Sequence, residues 1–198
     1  IDILRAGGNA ADAAVAASAV LCITEPHMTG IGGDCFVLVG EPSGRVLGLN
    51  GSGRASHRAN AAWLKASGLT SIAPRSVHSI TVPGAIDAWD QLLKRCGTMA
   101  LGDCLKPAIA LAEQGVPVTP RVAFDWPDDV ADLARDAGGL RHYLVNGQAP
   151  KLGHTMRYPA LAETLKRIAS EGRDAFYEGG IAKDIVGTIA AMGSLLDL

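Results

Sequence analysis

A chain of 198 residues with 48% hydrophobic and 19% charged residues has the make-up of an ordinary folded protein, with enough apolar side chains for a sizeable core. Its formal net charge of −2 leaves no electrostatic footprint for nucleic acid or an anionic membrane surface, and neither is expected as a partner. The longest apolar run, residues 13–23, is interrupted by Ser18 and is too short to span a membrane.

The sequence opens without Met, inside a helix-like segment, and shows no signal peptide, which predicts a piece of a longer protein. Gly7 and Gly8 form a turn, and Asn9 is a good N-cap for an alanine-rich helix over 10–22. Val15, Ala19 and Cys22 make one apolar stripe of that helix, and Asp12 sits in its first turn, where the helix dipole favours a carboxylate. Alanine on nearly every face lets neighbouring backbones come close, so burial is expected, and Pro26 ends the helix. After the flexible turn Gly30-Ile31-Gly32-Gly33, residues 35–39 read as a buried strand. Pro42-Ser43-Gly44 reads as a tight turn and 45–50 as the return strand.

A short helix capped by Asn60 is expected over 60–66, and a loop or irregular strand over 71–83. Residues 85–96 predict an amphipathic helix with Ile86, Trp89, Leu92 and Leu93 inward and Gly97 as its stop. A second helix is expected over 101–114, with Leu105, Ile109 and Leu111 inward and Pro107 tolerated in its first two turns. Residues 120–137 predict helix broken near Pro127, 141–155 a loop or short ribbon, and 161–170 and 181–192 two more helices. No repeats or charge runs divide the chain, so no separate second domain is expected.

Few residue patterns carry chemistry. Gly30-Ile31-Gly32 lacks the third glycine of a dinucleotide fingerprint, and helix precedes it where a strand should, which argues against nucleotide binding. The four cysteines form no CxxC pair and no zinc spacing; Cys22, Cys96 and Cys104 fall in apolar helical patterns as small hydrophobes, and the compartment stays open between periplasmic or secreted and cytoplasmic. The histidines are scattered, with no HExxH; His27, beside the glycine turn, is the best candidate among them and His57 the second. Metal binding has no support, and no cofactor is expected. The remaining polar cluster is Asn50-Gly51-Ser52-Gly53-Arg54, at the end of the return strand, where Arg54 could pair bidentately with a carboxylate.

The run from Gly7-Gly8-Asn9 to Ala16, followed by Glu25-Pro26-His27-Met28-Thr29-Gly30-Ile31-Gly32-Gly33, resembles the γ-glutamyltransferase family near the start of its large subunit. The resemblance continues in order through Val82-Pro83-Gly84, Lys106-Pro107-Ala108-Ile109-Ala110-Leu111-Ala112, Gly115-Val116-Pro117-Val118 and Phe176-Tyr177-Glu178-Gly179. What it implies is an N-terminal nucleophile hydrolase with an α+β fold, a four-layer αββα sandwich to which this chain gives a helix-rich part of the large subunit and a β-hairpin. It also implies a precursor that cleaves itself. The new N-terminal threonine of the small, catalytic subunit then attacks a γ-glutamyl amide such as glutathione, with its own α-amine as base.

No Thr-Thr pair occurs in this chain, so the resemblance places the catalytic residues elsewhere and implies an inactive polypeptide when alone. One departure concerns specificity. The family places an arginine three residues before an Ala-Pro pair, where it holds the substrate's α-carboxylate; matching that pair to Ala55-Ser56 puts Ser52 at the arginine position. Arg54 lies two residues on, and positions two apart in an extended segment face the same side. The expected substrate-binding residues are therefore Arg54, Ser52 and Asn50. The Asn-Gly-Ser-Gly-Arg run is similar to a branch with cephalosporin-acylase-like members, which leaves an acylase of the same fold, or a non-catalytic fragment or paralogue, as alternatives.

Overall fold

A computed structural model describes residues 1–198. In chain order the elements are α1 (Asp2–Arg5), α2 (Ala10–Thr24), β1 (Cys35–Gly40), β2 (Val46–Gly51), α3 (Ala61–Ala66), α4 (Ala85–Cys96), α5 (Leu101–Gln114) and β3 (Val116–Pro117). They continue with α6 (Pro120–Asp125), α7 (Val130–Leu133), α8 (Ala137–Tyr143), β4 (Thr155–Met156), α9 (Pro159–Glu171), α10 (Asp174–Tyr177) and α11 (Gly180–Ala191). Two compact units divide them: Ile1–Gly30 with Cys96–Ser170, and Ile31–Arg95 with Glu171–Leu198. No helix is long and apolar enough to cross a membrane.

The first unit is built on a reciprocal cap. The Asn9 side chain accepts from the Ala11 N–H at 2.8 Å and the Asp12 N–H at 3.2 Å, while Asp12 Oδ2 accepts from the Asn9 N–H at 2.7 Å. Asp12 is also fully buried, at 0% exposure, and accepts from the Thr98 hydroxyl at 2.7 Å, the Thr98 N–H at 3.0 Å and the Met99 N–H at 3.1 Å. Asn9 Nδ2 donates to the Cys96 carbonyl at 2.6 Å. The two side chains that start α2 therefore also hold the turn that leads into α5.

The face α5 buries differs from the expected one. Cys104, Leu105, Ala108 and Ala112 are buried, while Ile109 and Leu111 are only half-buried. Alanine-rich α2 packs against α5, and small residues on both helices let the axes come close, so Ala108 and Ala112 take the seam that longer side chains would prop open. Cys104 lies in this seam; burial, then the charges of Asp12 and Asp103, push its thiol up to about 11. Residues 120–137 break at Pro127, as the sequence predicts, into α6, a 3₁₀ turn over Trp126–Asp129 and α7. Arg141–Tyr143, expected in a loop, form the last turn of α8. Gly138 and Gly139 mask this helix in the sequence, but Asp136 caps it by accepting from the Gly139 N–H at 3.2 Å.

In the second unit β1 and β2 form an antiparallel hairpin in register from Cys35↔Gly51 to Gly40↔Val46, with Gly44 at φ +84° in its turn. The strand expected to be buried is covered on one face only. Val37, Val39, Leu47 and Leu49 alternate as the half-buried face, whereas Phe36, Leu38 and Val46 are 68%, 80% and 63% exposed. The covered end meets α4, where a Cβ on Gly51 would lie 2.5 Å from that of Ala88. Ile86, Ala88, Trp89, Leu92 and Leu93 of α4 are buried, on the stripe its sequence predicts.

Burial alone raises the Asp12 pKa, but the Thr98 hydroxyl and the N–H groups of Asn9, Met99 and Thr98 outweigh it and hold the carboxylate below its ordinary 3.8. A depressed folded-state value gives stability that is complete above the unfolded value and is lost as pH falls through the folded one. Asp12→Asn should therefore lower stability at neutral pH by about 2–4 kcal/mol in urea unfolding, because an amide cannot accept from all these donors. The gap between wild type and variant should narrow as the pH is lowered below about 4.

Candidate functional site

Both ends of the hairpin are latched to the segment that leads into α4. On the incoming side, the Gly33 carbonyl accepts from the Gly84 N–H at 3.0 Å and the Ala85 N–H at 2.9 Å, satisfying donors at the helix start. On the outgoing side, the Arg54 carbonyl accepts from the Val82 N–H at 3.0 Å. The approach is close enough to exclude any side chain. A Cβ on Gly53 would lie 1.7 Å from the Val82 carbonyl oxygen, and one on Gly84 would lie 1.9 Å from that of Gly51.

Residues from the far end of the sequence brace the same segment. The Tyr177 hydroxyl donates to the Pro83 carbonyl at 2.7 Å and accepts from the Asp87 N–H at 3.0 Å. The Arg173 guanidinium lies 4.5 Å from the Tyr177 ring centroid and is hydrogen-bonded to Asp87. Val82-Pro83-Gly84 and Phe176-Tyr177-Glu178-Gly179, two motifs distant in sequence, thus converge on one support for the hairpin's end.

Asn50, Ser52 and Arg54 all lie on the segment this support holds. Asn50 Oδ1 accepts from the Ser52 N–H at 2.9 Å, an Asx-type turn at the end of the strand. Ser52 and Arg54 are exposed while Gly53 between them turns towards Val82, so exposure alternates with period two past the last ladder pair. The Arg54 side chain has no partner; only its carbonyl is engaged. Asp34, to which the sequence assigns no role, joins them: its Oδ1 accepts from the Gly53 N–H at 3.0 Å and its Oδ2 from the Ser52 hydroxyl at 3.4 Å. The signal was its place immediately before β1, which puts it opposite Ser52 once the Cys35↔Gly51 register is known.

His27 belongs to the other unit. Its side chain is 3% exposed, with Nε2 3.3 Å from Asp125 Oδ2 and 3.9 Å from Glu25 Oε2. His57 is exposed and has no partner. None of the four cysteines forms a disulfide. The polar cluster at the hairpin's end combines a fixed backbone with an exposed, unpaired guanidinium and carboxylate, an arrangement suited to gripping a charged ligand rather than to attacking one.

The helix-rich architecture with its antiparallel hairpin is that of solved αββα N-terminal nucleophile hydrolases. The chain superposes on the cephalosporin acylase of Bacillus halodurans with a TM-score of 0.92 at 38% identity, covering 98% of this chain and 38% of that one. It superposes on the Helicobacter pylori gamma-glutamyltranspeptidase with a TM-score of 0.89 at 25% identity, covering 98% of this chain and 58% of that one. The sequence model of gamma-glutamyltranspeptidase matches residues 1–198, and the chain belongs to that family. It is 39% identical over 198 residues to the glutathione hydrolase-like YwrD proenzyme of Bacillus subtilis (strain 168), a match covering 99% of this chain. The chain spans 37% of the length of that relative.

The glycine contacts make a direct test. Gly53→Ala should destabilise the protein by roughly 3 kcal/mol or more, or push the 50–54 segment off Val82, because the obstacle is backbone and cannot rotate away. Gly48→Ala, whose Cβ meets only Leu38 at 3.7 Å, should melt within about 1 kcal/mol of wild type. Thermal denaturation of both variants checks the pair.

Proposed function

We propose that this chain is the large-subunit portion of an enzyme that transfers or hydrolyses γ-glutamyl amides, glutathione-type compounds among them, and that residues 50–54 grip the substrate. The nucleophile is the N-terminal threonine of a small, catalytic subunit cut from the same precursor, and this polypeptide alone is inactive. The reaction is acyl transfer: the threonine hydroxyl attacks the amide carbon, the amine leaves, and the acyl group passes to water or to an amino acid. In this scheme the chain contributes binding and orientation, with the Arg54 guanidinium on the substrate carboxylate, and Ser52 and Asn50 shaping the rim.

The observation that carries this reading is the hairpin's outer face. Phe36, Leu38 and Val46 lie open there beside the polar end at Asn50, Ser52 and Arg54. A bare apolar face of this kind is ordinarily covered by a partner, and the catalytic subunit is the partner we assign to it. Covering the face would place the reacting groups next to the free guanidinium. A second reading keeps the fold and the reaction and changes the acyl group, making the protein a cephalosporin-acylase-like amidase. It is supported by Ser52 at the place of the family's arginine and by the 38% identity to the Bacillus halodurans acylase, against 25% for the Helicobacter pylori enzyme.

Three p-nitroanilides separate the possibilities in the full-length, matured protein. The γ-glutamyl compound carries both α-charges, the glutaryl compound only the carboxylate, and the butyryl compound neither. Arg54→Ala should raise KM for the first two and spare the third, with kcat little changed. A lost charge-assisted hydrogen bond is worth about 1.5–3 kcal/mol, so a KM change below about threefold on the carboxylate-bearing anilides rejects the assignment. Faster turnover of glutaryl- than of γ-glutamyl-p-nitroanilide by the wild type would favour the acylase reading.

A further inference from the structure

We propose that the cavity between the end of α8 and the start of α9 is a binding site for a small monocarboxylate with an apolar body. The site lies within the first unit and is independent of the assignment of residues 50–54.

The cavity has a volume of about 150 Å³. His142 and Tyr143 line it from α8, Tyr158 from the residue before α9, and Ala160, Leu161 and Thr164 from α9 itself. Two sets of donors meet there without an acceptor. The first is the start of α9. Pro159 has no N–H, and the Ala162 N–H is taken by the Tyr158 carbonyl at 2.9 Å. The Ala160 and Leu161 N–H groups are left as the open donors of this 13-residue helix, and no acidic side chain stands in its first turn to neutralise its positive end.

The second set is a pair of tyrosines. The Tyr158 N–H donates to the Ala112 carbonyl at 2.8 Å, which fixes its backbone to the end of α5, and its ring centroid lies 5.9 Å from that of Tyr143. Tyr158 is only 4% exposed, and the part left open includes its hydroxyl, which has no hydrogen-bond partner in the protein. The Tyr143 hydroxyl has none either. Burial raises the pKa of both, with the charge of Cys22 adding to it at Tyr143 and that of Tyr143 at Tyr158, so both stay O–H donors at neutral pH. A hydroxyl this far from solvent ordinarily has an acceptor.

The walls select the ligand. Donors without an acceptor call for an anion or a carbonyl oxygen, and the positive end of a helix favours the anion. No lysine or arginine lines the cavity, so a single negative charge suits it better than a doubly charged group such as phosphate. The tyrosine rings, Ala160 and Leu161 make the remaining wall apolar, and a cavity of this size is large enough for a benzene ring.

The test is a ligand-observed NMR titration of the full-length, matured protein with benzoate and with benzyl alcohol, which keeps the ring and replaces the anion by a hydroxyl. Wild type should bind benzoate with a Kd of about 1 mM or below, at least about tenfold more tightly than benzyl alcohol. Tyr158→Phe and Tyr143→Phe keep the rings and remove one donor each. Each should weaken benzoate at least about fivefold and leave benzyl alcohol within about twofold, which also shows that the cavity is intact. Arg54→Ala should leave benzoate within about twofold, separating this cavity from the hairpin's end. Absence of benzoate binding by wild type, equal affinity for the two ligands, or benzoate affinity unchanged in both tyrosine variants overturns the proposal. Equal weakening of both ligands in those variants overturns it as well, since the hydroxyls would then only shape the cavity.

Discussion

The second unit depends on a contact between two stretches of backbone that leaves no room for a side chain on either. Gly53 lies against the Val82 carbonyl and Gly84 against that of Gly51. An N–H to carbonyl bond from Val82 to Arg54 ties the same stretches together, and two more from Gly84 and Ala85 to Gly33 tie in the incoming strand. A hairpin alone is only marginally stable in water and frays at its open end. Here the open end is the best-anchored part, because both its strands are bonded to the start of a helix whose own face is buried. The consequence for chemistry is that Asn50, Ser52 and Arg54 stand on a rigid support, which lowers the entropic cost of binding anything they hold.

The same contact explains why motifs far apart in the sequence belong together. Val82-Pro83-Gly84 supplies the surface against which the hairpin's end lies. Tyr177 bonds to the Pro83 carbonyl and the Asp87 N–H, and so fixes that surface from behind. Neither segment carries a reactive group into the site. Their role is to hold a shape, and glycine, proline and a hydrogen-bonding tyrosine are the residue types that shape requires. The first unit uses a different device, a buried carboxylate: Asp12 satisfies donors from two helix starts at once.

Much of this was legible from local patterns. The Asn9 and Asn60 caps, the stripe on α4, the hairpin and the break at Pro127 all follow from spacing within a few residues. What was not legible depends on partners distant in the chain. Asp12 reads as a first-turn carboxylate, and nothing nearby indicates that its main donor is a threonine 86 residues on. The apolar run at 35–39 reads as buried, because composition cannot tell a strand covered on both faces from one covered on a single face. Ile109 and Leu111 read as inward because they are the larger residues, whereas close helix packing selected Ala108 and Ala112. Within the candidate site, Asn50, Ser52 and Arg54 could be singled out from their types and from a family resemblance. Asp34 could not, since its bonds to Ser52 and Gly53 follow from the strand register.

The most direct measurement is a crystal structure of the full-length, matured protein with a γ-glutamyl substrate analogue in place. Arg54 gripping the substrate requires its guanidinium to lie within about 2.7–2.9 Å of the ligand carboxylate, with residues 50–54 still seated on Val82. A ligand carboxylate held by other residues while Arg54 points into solvent would contradict it.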